Sequence, residues 1–235
     1  MLFLITLVIV VVFVLALSKA IRKLPILFYI VALILVGSYI HMFYFGSIND
    51  FWRTVLPAFQ RCTIALAFFT VVMFTGLLPQ NSFVRKLLMP IRGQLSILGT
   101  IFSTSHVAIF SITILPKFYE GILIYKLEFT LSVILALVIT LLLIPLTVTS
   151  FNVVIRRMDP HTWKRIQLLA YPFFALIYVH IVFAMMPHLL SGNTSAIANF
   201  VAYTAMFCSY AVLRIRKRLM LAGATKQNQS SSLVC

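Results

Sequence analysis

The chain has 235 residues, of which 62% are hydrophobic and 10% charged, with a mean hydropathy of +1.08. Soluble domains carry about a quarter charged residues, so this composition describes a membrane protein of several helices and leaves no stretch for a folded soluble domain. The formal charge of +15 arises from 19 lysines and arginines against 4 acidic residues; the bases lie in short clusters between apolar runs, which reports membrane topology and excludes a nucleic-acid partner.

Spans of about 20 apolar residues are expected at 1–18, 25–45, 58–79, 94–116, 125–149, 165–187 and 195–213. The fold class is therefore all-α, a polytopic transmembrane helix bundle of about seven spans in a lipid bilayer. The first run, MLFLITLVIVVVFVLAL, has no basic region ahead of it and no small-x-small cleavage site behind it, so it reads as a retained span rather than a signal peptide. Pro25 and Pro90 fall at span or loop edges, whereas Pro145 and Pro172 fall inside spans 5 and 6 and are expected to kink them. Trp52, Tyr119, Tyr125 and Trp163 sit at span edges, as interfacial aromatics do. The final TKQNQSSSLVC is polar and expected to be disordered. Cys62, Cys208 and Cys235 are far apart, share no motif and read as small apolar residues. Cys235 is the last residue rather than fourth from the end, so no prenylation box is present. Asn193-Thr194-Ser195 matches a glycosylation sequon, a short and weak motif.

The connectors set the orientation. Lys19, Arg22 and Lys23 follow span 1. Arg85, Lys86 and Arg92 follow span 3, and Arg156, Arg157, Lys164 and Arg165 follow span 5. Arg214, Arg216, Lys217, Arg218 and Lys226 follow span 7, which puts 15 bases on one side against Arg53, Arg61, Lys117 and Lys126 on the other. The positive-inside rule then places the N-terminus outside and the C-terminus in the cytoplasm.

Histidine inside a span is costly and tends to mark function. Of the 5 histidines, His41, His161 and His188 lie near interfaces and read as structural. His106 stands 12 residues beyond Gln94 and His180 stands 15 beyond Arg165, which is about 18 and 22 Å into the membrane. Both helices run from inside to outside, so the two imidazoles stand at similar height, somewhat toward the outer face. Two facing helices can present ligands to one cofactor, and a haem b iron with two axial imidazoles needs a neutral nitrogen from each side and an apolar slot. Ser103, Thr104, Ser105 and Ala108 would let a flat ring approach; Phe102, Phe110, Phe173, Phe174 and Tyr178 could line it. The plainer alternative is that each histidine hydrogen-bonds a neighbouring helix.

The stretches TIALAFFTVVMFTGLLP, IRGQLSILGTIFSTSHVAIF and WKRIQLLAYPFFALIYVHIVF, in this order, resemble the ferric-reductase-like transmembrane domain. That family includes the haem-binding membrane subunit of the bacterial methionine sulfoxide reductase system and the membrane halves of ferric reductases and NADPH oxidases. Its last ligand helix reads roughly W-x-x-L-H-x-x-x-Y with a second histidine further on; here Trp163, Tyr171 and His180 fall in place, and Gln167 stands where the first histidine would be, 13 residues before His180. The resemblance covers about 130 of the 235 residues. It implies a six-helix ferric-reductase-like core at 25–213, preceded by an N-terminal helix at 1–24 and followed by a basic, then polar, cytoplasmic tail at 214–235.

In two-haem members each ligand helix carries two histidines, an inner and an outer one. Here the inner positions hold Gln167 on one helix and Arg92-Gly93 on the other, while both outer positions keep histidine. The resemblance therefore implies one bis-histidine haem b on His106 and His180, with Gln167 and Arg92 free to bind a polar group such as a haem propionate or a quinone. It also implies an electron-transfer subunit of an oxidoreductase in the bacterial cytoplasmic membrane. Its donor would be quinol or a separate flavoprotein, because no GxGxxG or soluble domain is present to hold a nucleotide, and its acceptor would lie outside. The rival expectation is a non-redox polytopic protein of the same fold without haem, a small transporter or an assembly factor. Neither half repeats the other, and Asp50, Glu120, Glu128 and Asp159 all lie at or near span edges, which argues against a proton-coupled carrier.

Overall fold

In hydrocarbon the backbone must satisfy its own hydrogen bonds, so long apolar runs fold as helices. The computed structural model describes residues 2–46, 50–119 and 127–232, and no strand occurs among them. The described elements are α1 (Leu2–Lys23), α2 (Pro25–Phe45), α3 (Asp50–Gln60), α4 (Thr63–Thr75), α5 (Phe83–Leu88), a 3-10 turn (Met89–Ile91), α6 (Arg92–Tyr119), α7 (Leu127–Val148), α8 (Asn152–Arg157), α9 (Pro160–Gln167), α10 (Ala170–Leu190) and α11 (Thr194–Ser232). Six stretches are long and apolar enough to cross a membrane, and α3 with α4 forms a further pair bent by 52°. The chain is an all-α polytopic bundle and an integral membrane protein.

Packing places α4 at the centre, where eleven of its thirteen residues are buried. It is held between α6 and α1, α2 lies along α6, and α10 packs along α7 and against α11. Aliphatic side chains such as Ile5, Val8 and Ile9 on α1, Ile34 on α2 and Leu141 on α7 stay exposed, as suits side chains solvated by lipid. Glycine permits the closest approaches. A Cβ at Gly99 would stand 2.9 Å from Phe69 Cε1, so the Phe69 ring sits directly against α6.

Some boundaries differ from expectation. The third span, expected as one helix over 58–79, is broken: Cys62 takes a left-handed conformation (φ 55) and α4 ends at Thr75. Gln60 and Arg61 interrupt the apolar run there, and Thr63 Oγ1 donates to Ala58 O at 3.2 Å across the corner. Pro172 does not kink a helix interior; it is the third residue of α10, where its missing N–H has no intrahelical acceptor to lose. α7 continues as one helix through Pro145. Where the sequence suggests an irregular tail, α11 continues to Ser232, and residues 233–235 lie outside the described residues. Asp159 caps α9 by accepting from Thr162 N at 2.8 Å, and that bond holds its carboxyl below the usual carboxylate range. Glu120, Tyr125, Lys126 and Cys235 lie outside the described residues, as do the side chains of Lys117 and Tyr119.

Candidate functional site

His106 projects from the middle of α6 and His180 from the middle of α10. Both are half-buried, and both line one cavity of about 540 Å³, well within the range of small-molecule and cofactor sites. Their ring centres are 6.5 Å apart, with the ring planes at 82°. The pair expected from depth alone is therefore brought together across one cavity.

The second nitrogen of each ring is engaged. His106 Nδ1 lies 2.6 Å from Gln60 O, and His180 Nδ1 lies 2.9 Å from Ser132 O and 3.1 Å from Ser132 Oγ. A carbonyl oxygen can only accept, so each Nδ1 carries the proton and each Nε2 keeps a bare lone pair. The break at Cys62 explains the first acceptor. The last carbonyls of a helix lack intrahelical donors, and ending α3 at Gln60 frees one of them for the imidazole. Metal-binding histidines commonly use the same arrangement, donating from one nitrogen to a backbone carbonyl and ligating through the other.

The cavity wall is largely apolar, with polar side chains set into it. Leu66, Phe69, Phe110, Leu143, Phe173 and Ile177 contribute to the wall. Among the described residues Arg61 is the lone lysine, arginine, aspartate or glutamate of the lining, and Asn193, Asn199 and the exposed His188 share it. Of the aromatics expected to line the slot, Phe110 and Phe173 do so. Phe102 stacks on Phe68 at 5.7 Å, Phe174 packs on Phe207 at 4.6 Å, and Tyr178 OH lies 3.1 Å from Thr204 Oγ1 on α11. Of the small residues near His106, Ser103 lines the cavity, Thr104 is exposed and Ser105 is fully buried, bonded to Phe102 O. His41 and His161 are exposed and away from the cavity lining.

Gln167 and Arg92 meet as well, but in a second cavity of about 240 Å³ toward the opposite end of the bundle. Phe69, Leu143 and Phe173 line both cavities and so form the partition between them. Phe69 and Phe173 pack edge to face across that layer at 5.1 Å. Gln167 Nε2 donates to Thr149 Oγ1 at 2.9 Å, and Trp163 Nε1 donates to Thr149 O at 2.9 Å. A Cβ at Gly93 would stand 2.8 Å from Ser150 O, so α6 approaches the end of α7 backbone to backbone where an inner ligand would project. The residues that the sequence did not single out are Gln60, Ser132 and Arg61; a Gln-Arg pair inside an apolar run was the available signal for two of them.

Among the described residues, no three histidine, cysteine, aspartate or glutamate side chains gather as a metal cage. The chain is similar to an uncharacterized protein of Treponema pallidum (strain Nichols), with 35% identity over 167 residues that make up 71% of this chain and 46% of that relative. The chain thus spans about half the length of the relative it matches. No family model matches the chain, and no solved structure matches it.

Proposed function

We propose that the chain is a haem b electron-transfer protein of the ferric-reductase-like kind, with one haem held between His106 and His180. The observation that carries this reading is the pair of imidazoles, each with Nδ1 bonded to a main-chain carbonyl and with ring centres 6.5 Å apart across a shared cavity. Ring centres 6.5 Å apart leave room for one metal between the two Nε2 atoms, which His106 and His180 would hold. Two imidazoles are too few for a structural zinc site, which takes four protein ligands, but they complete an iron whose remaining donors belong to a porphyrin. When bound, the haem supplies one-electron chemistry.

The chain's own residues do the rest. Gln60 O and Ser132 O fix the tautomer and orientation of the rings. Phe69, Phe110, Leu143 and Phe173 exclude water from the slot. Arg61 in the cavity lining supplies a cation for the carboxylates at the haem edge. The orientation proposed from the basic clusters puts this cavity toward the outer face of a bacterial cytoplasmic membrane, with the C-terminus in the cytoplasm. Quinol or a separate flavoprotein is the proposed donor, and a partner on the outer side the acceptor. Gln167, which lines the second cavity, is proposed to face a quinone head group. A Gln167→Ala variant is then expected to take electrons from a quinol several-fold more slowly with an unchanged spectrum; an unchanged rate contradicts that role.

The test of the main reading is the visible spectrum of the purified protein from haem-replete cells. Dithionite is expected to produce the α-band of a low-spin b haem, lost in His106→Ala and in His180→Ala. A colourless protein refutes the proposal.

A further inference from the structure

Four cations collect at the end of the bundle opposite the histidine cavity, and among the described residues no carboxylate joins them. Arg85 Nη1 donates to Leu78 O at 2.8 Å. Lys217 Nζ donates to Gly76 O at 2.8 Å and lies 3.4 Å from that same Leu78 O, so two positive side chains share one carbonyl oxygen. Arg214 donates to Tyr171 OH and lies over the Tyr171 ring, 4.7 Å from its centre. Arg92 is close enough to Arg85 and Arg214 for both charges to act on it, and it makes no hydrogen bond or ion pair among the described residues. These four are half-buried, whereas every other lysine and arginine whose side chain is described is exposed.

That contrast is unusual on electrostatic grounds. Long basic side chains at a membrane edge ordinarily extend to water. Like charges this close repel, most of all when partly withdrawn from solvent. The carbonyl ends of α4 offset part of the repulsion through the negative end of the helix dipole. The nearest sources of full negative charge do not help. Asp159 is exposed and occupied in capping α9, and Asp50 and Glu128 head helices that begin at the other end of the bundle. Among the described residues the cluster lacks a compensating anion.

We propose that Arg85, Arg92, Arg214 and Lys217 form a binding site for a phosphate group, either the headgroup of an anionic phospholipid or free phosphate. Guanidinium forks and an ammonium make charge-assisted bonds to phosphate oxygens, and basic pockets between helices at a membrane surface are where acidic headgroups dock. The site is separate from the histidine cavity and does not depend on haem.

The purified full-length chain in a neutral detergent, titrated with phosphatidylglycerol, phosphatidylcholine or inorganic phosphate while its thermal unfolding is followed, tests this. Phosphatidylglycerol is expected to raise the unfolding temperature where phosphatidylcholine does not. Its affinity is expected to fall on the order of tenfold or more in the double variant Arg85→Gln/Lys217→Gln, and to be unchanged in Arg156→Gln/Arg157→Gln, which removes exposed bases of α8. A shift reproduced by inorganic phosphate supports the site and assigns it to free phosphate. Equal shifts with both lipids and none with phosphate overturn the proposal, as does equal loss in the α8 variant. If the double variant does not fold, native mass spectrometry of the unmodified chain decides: preferential retention of phosphatidylglycerol supports the site, and equal retention of both lipids overturns it.

Discussion

At the scale of single residues, each imidazole is set by the group behind it. His180 Nδ1 has both the carbonyl and the hydroxyl of Ser132 within reach, at 2.9 and 3.1 Å. Removing the hydroxyl leaves the carbonyl, so Ser132→Ala is expected to keep the haem spectrum and to weaken haem retention by less than roughly tenfold. Loss of the spectrum in that variant would show that the hydroxyl, not the main chain, orients the ring. Both histidines were legible in the sequence because an ionisable group stands out in an apolar run. Their acceptors were not, because every residue carries a carbonyl, and only the bend at Cys62 identifies Gln60 O as a free one.

Among the elements, α3 and α4 carry the main departure from the simple pattern of straight spans. Hydropathy predicted one helix over 58–79, and the structure turns a corner of 52° within it. Cys62 holds that corner at φ 55, a conformation in which a residue with a Cβ is strained by about 1–2 kcal/mol. A β-branched side chain fits it worse. Cys62→Val is therefore expected to destabilise the protein by a further 1 kcal/mol or so and to weaken the hold on His106; thermal unfolding and the visible spectrum of the variant check both effects. Helix positions were readable because the bilayer fixes span length. Helix rotation was not. Lipid tails are as apolar as the interior, so no amphipathic stripe marks the inward face, and Phe102, Phe174 and Tyr178 turned toward helix neighbours instead of the cavity.

Across the whole molecule, two cavities lie in line, divided by Phe69, Leu143 and Phe173. One end carries the histidine pair and the other the half-buried bases, a polarity already visible in the distribution of lysine and arginine along the chain. That distribution predicts a cytoplasmic C-terminus. A C-terminal fluorescent reporter that folds only in the cytoplasm should glow, and a C-terminal phosphatase active only outside should be silent; the reverse pattern would invert the proposed orientation. The spacing of His106 and His180 along their helices placed them at similar height, but the 6.5 Å separation of the rings required the packing of α6 and α10 around a shared cavity.

The central proposal is that His106 and His180 would together hold one haem. Electron paramagnetic resonance of the oxidised protein, with haem and chain quantified in the same sample, tests it most directly. One haem per chain with a low-spin ferric signal is predicted, strongly anisotropic because the ring planes stand at 82°. A high-spin signal, two haems per chain, or a haem-free protein would contradict it.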